Sequence, residues 1–104
     1  MLRRLSMTGF FMAYCVYITT NPAKTALYIG VTGSLARRLA QHYDNRGSNE
    51  TFAGRYFCYN LLYVEQFQDI RAAISREKEL KGWTRAKKES LIATLNPEWE
   101  FLSL

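Results

Sequence analysis

Ala13-Tyr14-Cys15-Val16-Tyr17-Ile18-Thr19-Thr20 and Ala26-Leu27-Tyr28-Ile29-Gly30-Val31, separated by Asn21-Pro22-Ala23-Lys24-Thr25, decide the fold. Both runs are rich in β-branched and aromatic residues, and the proline of the turn-like interval lies outside them, which predicts a β-hairpin. Successive side chains of a strand point to opposite faces. Val16 and Ile18 therefore share one face with Leu27, Ile29 and Val31, while Tyr17, Tyr28 and Gly30 share the other. Pairing Val16 and Ile18 with Ile29 and Leu27 puts Tyr17 directly across from Tyr28, within contact distance.

Working outward from the hairpin, Gly33-Ser34 offers an N-cap to a helix from about Leu35 to Asp44, closed near Asn45 to Gly47. Leu35, Leu39 and Tyr43 form its apolar stripe, with Arg38 and His42 flanking it one turn apart and Arg37 pointing nearly the opposite way. After a polar loop, the aromatic and β-branched run from about Arg55 to Phe67 reads as a third strand, central to the core. Asp69 is placed to cap a helix running to about Lys81 and stopped by Gly82. Ile70, Ala73, Ile74, Glu77 and Lys81 share its inward side, and Glu79 lies on the wet one. A carboxylate on an apolar stripe needs a partner, and either a metal or a structural ion pair with Arg38 or Arg76 would supply it. Thr84 caps a last helix from about Arg85 to Leu95, apolar at Leu91 and Leu95 and basic at Arg85, Lys87 and Lys88, which Asn96-Pro97 ends. Trp83 and Trp99 read as packing anchors rather than stacking platforms.

The chain has 104 residues, of which 48% are hydrophobic, enough for one compact core and not for two. Residues 12–104 are expected to form that domain. Residues 1–11, basic and then apolar, are expected to be a flexible tail or an upstream-start extension. Lys and Arg number 14 against 9 Asp and Glu, a net charge of +5 and a pI near 9.4, which favours an anionic partner. Cys15 and Cys58 sit in apolar, strand-like sequence with no C-x-x-C or Cys/His cluster, so they are expected to be reduced, buried residues of a cytoplasmic protein. No apolar run approaches the roughly 20 residues needed to span a bilayer, so no membrane is expected as a partner.

Strand, turn, strand, helix, strand, helix, helix, with Tyr17 closing one triplet and Tyr28-Ile29-Gly30 forming another, resembles the GIY-YIG nuclease family. The likeness runs from Ala13 to Leu102. It is closest to the small standalone bacterial members, which carry the pattern seen here as Arg76-Glu77-Lys78-Glu79-Leu80-Lys81-Gly82-Trp83 and then Asn96-Pro97-Glu98-Trp99. The resemblance implies an α+β fold, a three-stranded antiparallel sheet flanked by three helices, and a metal-dependent site that cleaves phosphodiester bonds. It makes Tyr17 and Tyr28 the motif tyrosines, Arg38 the helix arginine, His42 the residue one turn later, Glu77 the metal ligand and Asn96 a late motif member. Cys15-Val16-Tyr17 stands where the family name has Gly-Ile-Tyr, and Val31 stands where some nucleases carry a lysine.

The chemistry asks for the same groups. Phosphodiester hydrolysis needs an activated water, a cation on the departing oxygen and positive charge on the remaining oxygens. Glu77 is a hard oxygen ligand suited to Mg²⁺ or Mn²⁺, and Arg38 can grip two phosphate oxygens. Tyr17 and His42 are rival general bases, the phenol needing nearby positive charge because its ordinary pKa is about 10. Gly30, Asn96, Lys87 and Lys88 are expected to contact substrate. The function this implies is a metal-dependent DNA endonuclease in repair or recombination, acting on branched, flapped or damaged DNA. A chain of this length leaves no room for a separate recognition domain, so sequence-specific cutting is expected only where a protein partner supplies the targeting. Two alternatives stand beside it: a non-catalytic nucleic-acid-binding module that keeps the fold, and an interaction protein whose basic surface docks an acidic partner.

Overall fold

The computed structural model describes residues 2–4 and 14–104. Its elements in chain order are β1 (Leu2–Arg4), β2 (Tyr14–Thr20), β3 (Leu27–Thr32), α1 (Leu35–Asp44), α2 (Phe52–Arg55), β4 (Asn60–Phe67), α3 (Ile70–Lys81), α4 (Arg85–Leu95) and β5 (Phe101–Ser103). The strands form one sheet in the order β1-β5-β4-β2-β3, antiparallel except for the parallel pair β1 and β5. The α+β class agrees with expectation, but the described residues hold five strands and four helices rather than three of each. The additional elements are three or four residues long, too short to show a periodicity. Leu2–Arg4 pairs with β5 inside the stretch expected to be a tail; residue 1 and residues 5–11 of that stretch lie outside the described residues.

Both faces of the sheet are covered. Val16, Ile18, Ile29, Leu62 and Tyr63 pack with Ala73 and Leu80 of α3 and Ile92 of α4 on one side. Cys15, Tyr17, Leu61 and Leu102 pack with Leu35 of α1 on the other, joined by the partly buried Tyr28 and Leu39. Strict alternation along β2 thus sends Val16 and Ile18 to α3 and α4, and Tyr17 to α1. In β4 the alternation breaks once: Ile18 pairs with Tyr63 and Thr19 with Leu61, so Leu62 is the extra residue of a bulge. The bulge lets Leu62 and Tyr63 face the same layer.

The hairpin keeps the expected faces but not the expected register. Tyr17 pairs with Gly30, Ile18 with Ile29 and Thr19 with Tyr28, a slip of two residues that leaves every side chain on its face. The third strand begins at Asn60, not Arg55, because α2 consumes the start of the aromatic run and Cys58 precedes the strand. In α1 the outer end of the apolar stripe is wet: Tyr43 is half-exposed, edge-on to Tyr59 and under the Arg46 guanidinium. In α3, Ala73 and Leu80 are buried whereas Ile70 and Ile74 are exposed, so the inward stripe is narrower and rotated from the expected one. The same face carries Arg76, which grips both carboxylate oxygens of Glu65 at 2.9 Å and leaves its third nitrogen to Glu79. Burial raises the Glu65 pKa, but the hydrogen bonds from Arg76 and Tyr63 outweigh it and hold the carboxyl below its usual value.

Candidate active site

Tyr17 has no exposed surface, and Gly30 across the ladder is what makes room for it. A Cβ at position 30 would overlap the Tyr17 hydroxyl and the ring carbon that bears it. Gly30, expected to contact substrate, is itself buried and clears space for the phenol. The Tyr17 ring then runs along the sheet to the first helix, where its hydroxyl lies 2.7 Å from His42 Nε2.

Tyr28 sits diagonally from Tyr17, with ring centroids 6.2 Å apart. His42 completes a triangle of rings, at 5.7 Å from Tyr17 and 5.2 Å edge-on from Tyr28. Arg38, one turn before His42 and half-buried, acts electrostatically on both hydrogen-bonding partners. Burial drives the Tyr17 phenol well above its ordinary range, aided by Tyr28 and opposed by Arg38. Burial, then Arg38, pushes His42 below its usual value. At neutral pH the pair is therefore an uncharged phenol and an uncharged imidazole, and which of them donates follows the imidazole tautomer. Arg37 points to the outside, as the helix phase requires.

Glu77 lies on α3, in the layer opposite α1, and Lys81 is its link toward Tyr28. The Glu77 side chain is only 15% exposed, and its Oε2 lies 3.1 Å from Lys81 Nζ. Lys81 Nζ in turn stands 6.0 Å from the Tyr28 ring centroid. Since β3 is an edge strand, α3 can bring a side chain past the sheet border to the tyrosine face. Leu27, Tyr28, Ile29, Phe52, Lys81 and Lys88 line a cleft of about 220 Å³ there. Glu77 thus pairs with Lys81, and not with Arg38 or Arg76. Glu79 stays on the exposed side with Arg76.

Two expected contacts lie elsewhere. Asn96 is wholly buried: its Nδ2 donates to the carbonyls of Leu62 and Glu100, and its Oδ1 accepts from Glu100 N–H. It satisfies the carbonyl that the β4 bulge displaces and ties the chain after α4 to the sheet, which replaces the substrate contact expected of it. Lys87 turns to the other side of α4, with its Nζ 4.7 Å from the Trp83 ring, while Lys88 faces the Tyr28 cleft. Trp83 and Trp99 pack against the core, as expected. Among the described residues no three His, Cys, Asp or Glu side chains converge on a metal position. The sequence profile of the GIY-YIG catalytic domain matches residues 13–90. The chain belongs to the GIY-YIG family.

Several small UPF0213 proteins resemble the chain. A UPF0213 protein of Natronomonas pharaonis is 40% identical over 78 residues, covering 75% of this chain and 88% of its own. One of Bacillus pumilus is 37% identical over 78 residues, covering 75% and 78%. The solution NMR structure of a UPF0213 protein from Bacillus halodurans superposes with a TM-score of 0.53 at 29% identity, over 84% of this chain and 89% of that one. Within this GIY-YIG domain, Lys81 and Phe52 join the motif residues at the cleft although sequence reasoning gave them no role there. Lys81 could have been found from its place one turn after Glu77. Phe52 could not, because only the folded loop brings it to Tyr28.

Proposed function

We propose that this GIY-YIG protein is a metal-dependent endonuclease that hydrolyses phosphodiester bonds in DNA, with Tyr17, Tyr28, Arg38, His42 and Glu77 at its centre and a place in repair or recombination. The observation that carries the reading is the 2.7 Å pair of Tyr17 and His42 on one face with Tyr28. Because His42 is held neutral and keeps exposed surface while Tyr17 has none, the imidazole can take the proton of an attacking water, and the Tyr17 hydroxyl at its Nε2 holds the ring in place. The imidazole then acts as the base, and Tyr17 does not have to exist as a free phenolate. The water oxygen attacks phosphorus, the bond to the departing ester oxygen breaks, and Arg38 faces the charge gathering on the phosphoryl oxygens.

The residues fit a divalent cation. Glu77 offers a hard, half-buried carboxylate already engaged by one cation, Lys81, and a single protein carboxylate with waters is ordinary for Mg²⁺ or Mn²⁺. Bound there, the ion would neutralise charge on the leaving oxygen. Lys88 and Lys81 supply positive charge beside Tyr28 where some family members use a lysine at the position of Val31, which here packs toward α3 and α4.

The test is cleavage of supercoiled, single-stranded, flapped and four-way-branched DNA with Mg²⁺ or Mn²⁺, beside EDTA, Glu77→Ala and Glu79→Ala. Cutting by the wild type and Glu79→Ala, and by neither of the other two, is the expected result. Val31 gives the second reading its footing: a binding module without turnover would show salt-sensitive binding to all substrates and no cutting in any metal.

A further inference from the structure

The α2 turn presents aromatic rings to solvent where a short helix would ordinarily bury them. Phe52 is 50% exposed and Tyr56 46%. Their rings lie 4.6 Å apart, and Phe52 is stacked against Tyr28 at 6.4 Å and 24°. Tyr28, Phe52 and Tyr56 thus form one continuous ladder leading outward from the catalytic face.

The ladder stands on a fixed backbone. Thr51 accepts the Gly54 N–H, Gly54 O accepts the Gly47 N–H at 2.8 Å, and Ala53 O accepts the Cys58 N–H at 2.8 Å. Ala53 and Gly54 are buried, and a Cβ on Gly54 would meet the carbonyls of Asn45 and Ser48 at 2.8 Å. The buried half of the turn is anchored so that its aromatic half stays outside. Cations border the rings: Lys81 and Lys88 beside Tyr28 and Phe52, and Arg55 beside Phe52 and Tyr56, with Glu50 the carboxylate facing that second hollow.

We infer that Tyr28, Phe52 and Tyr56 form a stacking platform for successive unpaired bases of the DNA strand entering the cleft, so that the preferred substrate is single-stranded or flapped DNA rather than intact duplex. The inference rests on the DNA-cleaving function proposed above and names its substrate class. Half-exposed aromatic rings suit base faces, which duplex DNA hides within its own stack, and the bordering cations suit the phosphates between those bases. A purely apolar partner would not call for the lysines and arginine at the rim.

The experiment is anisotropy binding in EDTA of a labelled single strand, and of the same strand annealed as a blunt duplex, to the wild type, Phe52→Ala, Tyr56→Ala and Phe52→Trp. The wild type should prefer the single strand. Phe52→Ala should weaken single-strand binding by about tenfold or more, the size of one lost base stack, and leave duplex binding nearly unchanged. Phe52→Trp, which keeps a ring on the same turn, should restore the preference and so separate stacking from damage to α2. Equal losses on both DNAs, or none, would overturn the platform while leaving the nuclease reading standing. A wild type that binds neither DNA would overturn both.

Discussion

The Tyr17 hydroxyl lies 2.7 Å from His42 Nε2, which binds the centre of the sheet to the first helix through one proton. Burial acts on the two partners in opposite senses, raising the phenol and lowering the imidazole, so each is held in its neutral form. The pair is ready to receive a proton only while His42 is uncharged. Single-turnover cleavage should therefore rise with pH along a limb centred below the ordinary imidazole value of about 6.5 and then level off. His42→Gln should lose about a hundredfold in rate and lose the limb with it. A limb above pH 9 would instead make Tyr17 a free phenolate base.

Gly30 faces Tyr17 across the β2–β3 ladder, and any side chain there collides with the end of the phenol. Tyr17 is fully buried, so a side chain at position 30 can be accommodated only by displacing the ring within the core. Gly30→Ala should cost about 1–3 kcal/mol by overpacking. Cleavage should fall further than the loss of folded protein explains, because the hydroxyl leaves His42. Urea unfolding beside cleavage at a temperature where the variant stays folded separates the two effects.

How far these relationships were legible in the sequence follows from what period-two and helical patterns encode. Alternation placed Tyr17 and Tyr28 on one face, because helices cover both sides of the sheet and penalise any one-residue slip. It could not choose between registers two residues apart, which preserve every face, and the pairing of Tyr17 with Gly30 is set by the room that glycine leaves. Helical phase separated Arg38 from Arg37 and Glu77 from Glu79. It failed for Ile70 and Ile74, since the sheet edge stops short of covering that side of α3. Residues 55–58 read as the start of a strand because Tyr and Phe favour strands locally, whereas the turn there is made by hydrogen bonds to residues 47 and 51 that no spacing announces. The motif residues were found through the family resemblance; Phe52 reached the cleft only through folding.

Asn96 carries a different expectation from the one its motif position suggested. Its three hydrogen bonds are all internal, and one of them satisfies the Leu62 carbonyl at the bulge. Asn96→Ala would strand buried backbone groups and should cost about 2–4 kcal/mol. Cleavage per folded molecule should change little. A large rate loss in a variant with an unchanged urea midpoint would return Asn96 to the substrate.

Lys81 holds the carboxylate that a metal would need. The Glu77 side chain is 15% exposed and that of Lys81 is 51%, so solvent screens the pair and its contribution to stability should be small, about 0.5 kcal/mol. Its effect on a cation is larger in kind, since an incoming Mg²⁺ must share or displace the ammonium from Glu77 Oε2. Lys81→Met removes that competitor while keeping an unbranched stem beside Tyr28. It should lower the concentration of Mn²⁺ needed for half-saturation, read by calorimetry on the DNA-free protein, with no more than a small change in melting temperature. Its cleavage should nonetheless slow, because the same lysine lines the cleft with Tyr28, Phe52 and Lys88 and there faces the substrate's charge. Unchanged Mn²⁺ affinity in Lys81→Met, with affinity also unchanged in Glu77→Ala, would place the metal away from this carboxylate.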